Sequence, residues 1–410
     1  MKTTTLLLFS ILIMSCSQRI EEPLSSIMQK APNIKGKKDY LDSPYVTAGN
    51  RVYMVGHQDG AFPDLGWHIK GEMGGIWNHP IKLMDGFEVE MTLNDHVLKL
   101  NKASEFINYP YSNKHIFKFE DEGLIIERIQ FVPDNEQGIL VQFIIKNISQ
   151  KNIEGSVSFV GHTNLRPTWL GERSNMMDSK DSGVFEESYW IIKDSLNPWY
   201  NVFGSDQTPI SSEEVENHTK PNGTSHSLEY AVAIPAKSEK ILNFALTGSY
   251  VSREDAIKAH DNILENFASM AKAKKSRYEQ LATQSKLTIP DKHLQETFEW
   301  LKYNCDWLVR TVPEIGSGIG AGIPDYPWYF GVDSEYALKG YMAVGQDKIV
   351  ENTIKLLDSV SMAINNNGRI IHEMSTNGVV FNKGNINETP QFASLIWEIY
   401  KWNGDKEFLK

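Results

Sequence analysis

The sequence predicts two kinds of structure in series: an antiparallel β-sandwich over residues 46–250, then helical hairpins over residues 289–410. Three observations carry this. Apolar and polar residues alternate strictly in Phe87-Glu-Val-Glu-Met-Thr-Leu93, the period of a half-buried strand. Many other short β-rich runs, cut by Gly, Asn and Pro, fill the same half, which is the pattern of packed antiparallel sheets. Past residue 290 the apolar spacing changes to three and four, first in Leu294, Phe298, Leu301, Cys305 and Leu308. It recurs in Val350, Ile354, Leu357, Val360 and Ile364.

The elements follow in order. Lys2 and the apolar run Leu6–Met14 read as an export signal too short to span a bilayer. The run ends in Ile13-Met14-Ser15-Cys16, which resembles the bacterial lipoprotein box. That resemblance implies cleavage before Cys16, lipidation of its thiol and residence at a bacterial cell envelope, on the periplasmic or outer-membrane face. It is preferred to an ordinary signal peptide cut nearby. Residues 1–16 are then signal, and the polar residues 17–45 a tether from membrane to domain. With Cys16 modified, Cys305 is left alone and reads as core filler.

Within the sandwich, Leu124–Val132 and Gly138–Asn147 form a predicted hairpin across Pro133-Asp-Asn-Glu-Gln-Gly138. Val157–Phe159, Trp190–Ile192 and Leu242–Leu246 continue the strands. The segment Gly66–Pro80, followed by Asp85-Gly86, is dense in Gly, Trp and His. It reads equally as tight turns with Trp packed in the sandwich or as a loop reaching the helical domain. Ser252 caps a linker helix over 251–288, with Ala256, Ile263, Phe267 and Met270 on one face. Asp291 caps the next helix. Further helices run over about 333–344, from 347 to about 364, and through Phe392, Leu395, Ile396 and Ile399 to Asn403-Gly404. Residues 405–410 read as the start of another. The long loops, 311–332 and 365–390, share one end of this array, where a site is built.

Composition narrows the function. A length of 410 residues suggests two or three domains, and 41% hydrophobic content suffices for sizeable cores. A net charge of −11 without a long basic run argues against nucleic acid as a partner. His57, His68, His79 and His372 lack zinc-site spacing, so neither metal nor cofactor is expected. Gly316-Ser-Gly-Ile-Gly-Ala-Gly322 lacks the ending of a phosphate loop and reads as a mobile pocket rim. The long loops carry Trp328, Tyr329, Asp333, His372, Glu373 and Glu388. Aromatic rings that stack on a pyranose, beside carboxylates and amides that fix its hydroxyls, suit an oligo- or polysaccharide. Asp333 and Glu388 precede helices and could instead be caps.

Three motifs carry a family resemblance: Pro327-Trp-Tyr-Phe-Gly-Val-Asp333, Gly368-Arg-Ile-Ile-His-Glu373 and Asn387-Glu-Thr-Pro-Gln-Phe392. In this order they resemble the six-hairpin glycosidases, above all glycogen-debranching-type amylo-α-1,6-glucosidases. The resemblance implies a β-sandwich before an (α/α)6 toroid, of which only the first part is present. It implies an inverting, exo-acting glycoside hydrolase, here on α-glucosidic linkages. Trp328 and Tyr329 would pack on the sugar ring and Asp333 would grip its hydroxyls, although Val332 stands where the family carries Arg. His372 and Glu373 match the family His-Glu loop, and Glu388 stands where many relatives have Asp. The general acid and base would lie beyond Lys410, so the chain reads as an inactive piece of a longer enzyme. A sugar phosphorylase of similar architecture and a non-catalytic glycan-binding fragment are the alternatives.

Overall fold

The computed structural model describes residues 22–217 and 220–409. The signal and lipidation readings for residues 1–16, Cys16 included, lie outside the described residues. The strands of the first half begin with β1 (Ile34–Lys35), β2 (Pro44–Ala48), β3 (Val52–His57), β4 (Gly75–Asn78), β5 (Ile81–Leu93) and β6 (His96–Lys99). They continue with β7 (Glu105–Tyr109), β8 (Ser112–Phe119), β9 (Leu124–Phe131), β10 (Gly138–Asn147) and β11 (Ile153–Pro167). The rest are β12 (Asp181–Glu186), β13 (Tyr189–Asp194), β14 (Tyr200–Ser205), β15 (Ser211–Val215), β16 (Thr224–Ile234) and β17 (Glu239–Ser249).

Among the described residues these strands form two sheets. One is ordered β1-β7-β8-β9-β10-β17-β14-β13-β12. The other is ordered β15-β16-β11-β5-β4-β3-β2, with β6 on β5. The predicted alternation holds in β5, where Phe87, Val89, Met91 and Leu93 are buried and Glu88 is exposed. Phe159 stacks between Phe87 and Phe244, at centroid distances of 5.0 and 4.5 Å. The predicted hairpin is β9–β10, registered from Phe131 opposite Leu140 to Leu124 opposite Asn147.

The stretch read as a tether departs from expectation, because residues 22–45 pack on the sandwich. Helix α1 (Leu24–Ile27) begins a short apolar face, and Leu24, Ile27, Met28 and Ala31 are buried against a cluster that includes Ile129, Phe131 and Ile144. The spacing of these four residues matches one helical face, and the surrounding polar residues mask it in the sequence. Leu24 N donates to Gln142 Oε1 at 2.9 Å, and β1 pairs with β7.

Helix α2 (Arg253–Thr283) begins at Ser252, whose hydroxyl accepts from Asp255 N at 3.1 Å. It lies on the sandwich and is tied there by charge. Lys274 is buried and donates to Ala48 O at 2.7 Å and Val132 O at 2.6 Å. Arg277 bridges Asp134 of the sandwich and Asp306 of the next helix, with contacts of 2.7 and 2.6 Å.

Four helices follow: α3 (Lys292–Trp307), α4 (Gly331–Ala343), α5 (Asp347–Asn365) and α6 (Glu388–Asn403). Asp291 caps α3, accepting from His293 N and Leu294 N at 2.8 and 3.0 Å. The face that α3 buries is only in part the predicted one: of that stripe, Cys305 packs against the cluster of α4, α5 and α6. Trp300 and Tyr303 pack with α2, whereas Leu294 and Leu301 are exposed, Leu301 at 52%. The helix has two apolar faces, and the aromatic face meets α2. Tyr336 of α4 and Trp397 and Trp402 of α6 are also exposed. The helices are therefore a partial helical domain, and a closed (α/α)6 toroid is not seen among the described residues. None of the described helices is long and apolar enough to cross a membrane.

Two small sheets fill the long loops. Strand β18 (Val309–Val312) pairs with β19 (Gly316–Ile319), and β20 (Tyr329–Phe330) pairs with β21 (Glu373–Met374), which pairs with β22 (Val380–Asn382). The glycine-rich run expected as a mobile rim is instead largely this β19 strand. At Gly318 a Cβ would sit 3.0–3.1 Å from Leu356 and the Tyr329 ring, so the glycine permits close packing rather than motion.

Candidate functional site

An aromatic cluster forms where the sandwich meets the helical domain. The loop between β3 and β4 supplies Trp67 and His68, and the turn after β11 supplies Trp169. The segment entering α4 supplies Tyr326, Trp328 and Phe330, and β22 supplies Phe381. The His68 ring lies 4.3 Å from Trp169, 5.0 Å from Trp328 and 5.3 Å from Tyr326. Trp169 stacks on Trp328 at 5.3 Å and meets Phe381 at 4.7 Å. Trp67 N donates to Asp325 Oδ1 at 2.9 Å, which fixes the loop to the helical domain. Both readings of the Gly66–Pro80 segment therefore hold, for different parts of it. Trp77 is buried in the sandwich, while Trp67 and His68 reach across.

A second seam clamps the loop after β21. His79 Nδ1 lies 2.7 Å from Thr376 Oγ1, and its Nε2 lies 3.0 Å from the Tyr53 hydroxyl. Asn377 Nδ2 donates to Trp169 O at 3.1 Å. The sandwich thus holds the turn that follows the strand carrying Glu373.

Two of the expected carboxylates lie in this loop system. Glu373 is buried and accepts from Trp328 Nε1 at 2.8 Å. Burial pushes its carboxyl up, with the Trp328 hydrogen bond opposing. Glu388 is fully buried, and His372 Nδ1 lies 2.7 Å from its Oε1. Asn385 donates to it from its backbone N at 2.6 Å and from its side chain at 3.1 Å. Burial would raise Glu388, but these hydrogen bonds outweigh it and hold the group below the usual carboxylate range. Phe330 meets the His372 ring edge-on at 5.7 Å. Adjacent residues thus meet two carboxyl groups pushed in opposite directions: Glu373 is the raised one, and His372 holds the lowered one, Glu388.

The other expected residues are placed differently. Trp328 is fully buried between His68 and Trp169, so it anchors Glu373 and presents no open ring face. Tyr329 points the other way, because successive strand residues face opposite sides. Its ring sits with Leu356, Ile371 and Met374, and its hydroxyl donates to Arg310 O at 3.2 Å. Neither ring can stack on a sugar as expected. The open aromatic surface comes instead from Trp67, 63% exposed, and Phe381. Asp333 is exposed in the first turn of α4 and is not its cap, since Phe330 holds that position. It lines a cleft with Gly320, Ala321, Tyr336 and Tyr341.

One carboxylate escaped sequence reasoning. Glu335, within α4, is buried with no hydrogen-bond partner for either oxygen among the described residues. Burial pushes it up to about 8, with nearby Glu388 and Asp333 adding to the rise. Asp333 drew notice through its aromatic neighbours and its place at the helix start, but Glu335, two residues further on and inside the helix, carried no such signal. Trp169 was also missed, as it stands outside any motif. No cluster of metal-ligating side chains occurs among the described residues.

No family of known sequences matches the chain, and no curated protein does. Solved structures do. A protein assigned as a kojibiose phosphorylase, from the human microbiome, superimposes with a TM-score of 0.65 at 10% identity, over 92% of this chain and 57% of that one. A bacterial glucoamylase in complex with acarbose gives 0.53 at 10% identity, over 90% of this chain and 55% of that one. The chain spans a little more than half the length of these structures. At such identities the likeness establishes the fold alone: a large antiparallel sandwich followed by helical hairpins, in the order that both of these carbohydrate-handling proteins share.

Proposed function

We propose that this chain is the sandwich and first hairpins of a carbohydrate-active enzyme. The preferred activity is exo-acting, inverting hydrolysis of α-glucosidic linkages in an oligo- or polysaccharide. The observation that carries the reading is the junction itself. Trp67 and Phe381 offer open rings on an aromatic cluster in which Trp328 holds buried Glu373 and Phe330 meets part-exposed His372, and the two domains supply these groups together. Open rings stack on a sugar face, and a part-exposed imidazole such as that of His372 reaches its hydroxyls. The glucoamylase likeness supports hydrolysis, and the phosphorylase likeness keeps phosphorolysis as a second reading.

The uncovered faces of α3, α4 and α6 support the view that further hairpins belong to the functional protein. The general acid and base would sit on those hairpins, with the two carboxyls roughly 6.5–9.5 Å apart in an inverting enzyme. The chain as given then binds glycan without cleaving it. Cys16 is proposed as the lipid anchor that holds the protein at the bacterial envelope.

Titration calorimetry of this chain with acarbose and maltotetraose tests the binding claim. Saturable binding that Trp67→Ala weakens is expected, and no binding by either sugar would overturn it. For the intact gene product, NMR of the first-released anomer reports inversion. Turnover only in the presence of phosphate would select the phosphorylase reading.

A further inference from the structure

The sandwich carries a second cavity, of about 340 Å³, that shares no lining residue with the junction. Its walls are the loop Gly60–Asp64, β5 from Asp85 to Glu90, the turn Lys99–Asn101 and His162 of β11. Its volume falls at the lower end of the ~300–1,000 Å³ range of small-molecule sites.

The cavity wall is fixed in advance. Arg128 is buried, lies 5.2 Å over the Phe87 ring and donates to Gly60 O at 3.0 Å. Burying a guanidinium is costly, and here it holds a surface loop in place. Gly60 has φ +102°, and a Cβ there would come within 2.9 Å of Phe117. His57 N donates to Ala61 O at 2.9 Å, and Ala61 N to Asp59 Oδ1 at 3.0 Å, which closes the turn. Phe62 lies directly on the backbone of Gly86, where φ is +154° and a Cβ would sit 2.3 Å from the ring. No other residue at 86 would let that ring lie there.

The rim mixes donors and acceptors around this ring. Lys99 Nζ pairs with Glu90 Oε1 at 2.9 Å, and Lys220 Nζ with Asp64 Oδ2 at 2.9 Å. Glu88 is 64% exposed at its side chain. His162 Nδ1 lies 2.9 Å from Ser225 Oγ. Asp85 is offset by its ion pair with Lys82, and Arg128 lies behind the Phe87 wall, so the four carboxylates Asp64, Asp85, Glu88 and Glu90 are balanced by nearby cations and the cleft favours no strongly charged ligand. A neutral polyol satisfies both donors and acceptors, and its apolar face matches the ring.

We propose that this cleft is an accessory binding site for a neutral oligosaccharide, with Phe62 as platform and Glu88, Glu90 and Lys99 as hydroxyl partners. It would hold a glycan on the sandwich, apart from the junction. The reading rests on the cleft's own chemistry and does not require the junction to bind sugar.

The test uses the whole chain titrated with maltotetraose by calorimetry and ligand-observed NMR. Two classes of site are expected. The double variant Glu88→Ala/Glu90→Ala, at an exposed and a half-buried rim position, should weaken one class about tenfold with little change in melting temperature, and Lys99→Ala should act on the same class. Trp67→Ala should act on the other. A triglucuronate should compete poorly at the cleft. Maltotetraose binding unaltered by the double variant and by Lys99→Ala would overturn the proposal, as would no binding at about 10 mM. Loss with the double variant but not with Trp67→Ala would sustain the cleft and defeat the junction reading instead.

Discussion

The sandwich and the helical part differ in how completely each covers its own apolar residues. In the sandwich, alternating side chains of two sheets meet in one core, and Phe87, Phe159 and Phe244 stack within it. In the helical part, α3 spends its aromatic face on α2 and leaves Leu294 and Leu301 in solvent. The difference teaches that a strand pattern announces a closed unit, whereas a helix with two apolar faces announces two neighbours. Among the described residues the second face of α3 is covered only near Cys305, which packs against the cluster of α4, α5 and α6, while Leu294 and Leu301 stay exposed.

The sharpest way to break this comparison is to truncate one residue of each kind. Phe159→Ala should cost roughly 3–5 kcal/mol, the range for a buried aromatic. Leu301→Ala should stay within about 0.5 kcal/mol, as an exposed position does. Urea denaturation followed by circular dichroism measures both. A large loss at Leu301 would show that its face is covered and would remove the main support for further hairpins. Next in size is the seam between the two parts. Asp134→Ala removes a partner of buried Lys274 and of Arg277, and should cost about 3 kcal/mol, because it leaves a charge uncompensated. Loss of coincidence between near-ultraviolet and far-ultraviolet transitions would mark the two parts coming apart.

What the sequence made legible follows the same division. Period-two alternation in Phe87–Leu93 located β5, and side chains that cap helices, Ser252 and Asp291, located the starts of α2 and α3. Those signals are local, so they survive without tertiary context. The face of α3 was only partly legible because Leu294 and Leu301 and the pair Trp300 and Tyr303 both recur at helical spacing, and only contact with α2 decides between them. The site was legible as a set of loops but not as a set of orientations. Trp328 and Tyr329 are adjacent, yet strand geometry sends one to the junction and the other to the core. Trp67 and Trp169 join the site across more than 150 residues of chain, a distance that no motif spans.

Glu335 offers a smaller test, through pH. Its folded-state carboxyl is raised to about 8 from the 4.5 of a free side chain. The folded state therefore favours the protonated form. The stability tied to this group is fully present below pH 4.5 and is lost as pH rises through 8. Glu335→Gln should raise the melting temperature at pH 8 and change it little at pH 4.5, with a gain on the order of a few kcal/mol at most. An equal effect at both pH values would mean that Glu335 has a partner in solution.

The smallest expected effect on the fold falls at Trp67, and it separates binding from folding. Its ring is mostly exposed, so Trp67→Ala should change stability by less than about 0.5 kcal/mol. Its loss as a stacking surface should weaken acarbose or maltotetraose binding at the junction by roughly 0.5–1.5 kcal/mol, up to about tenfold. Trp67→Phe keeps a flat ring and should recover most of that affinity. If Trp67→Ala lowered stability but left binding intact, the loop would serve only to fasten the sandwich to Asp325. The aromatic junction would then be a structural seam, and the sugar would have to be sought at the Asp333 cleft instead.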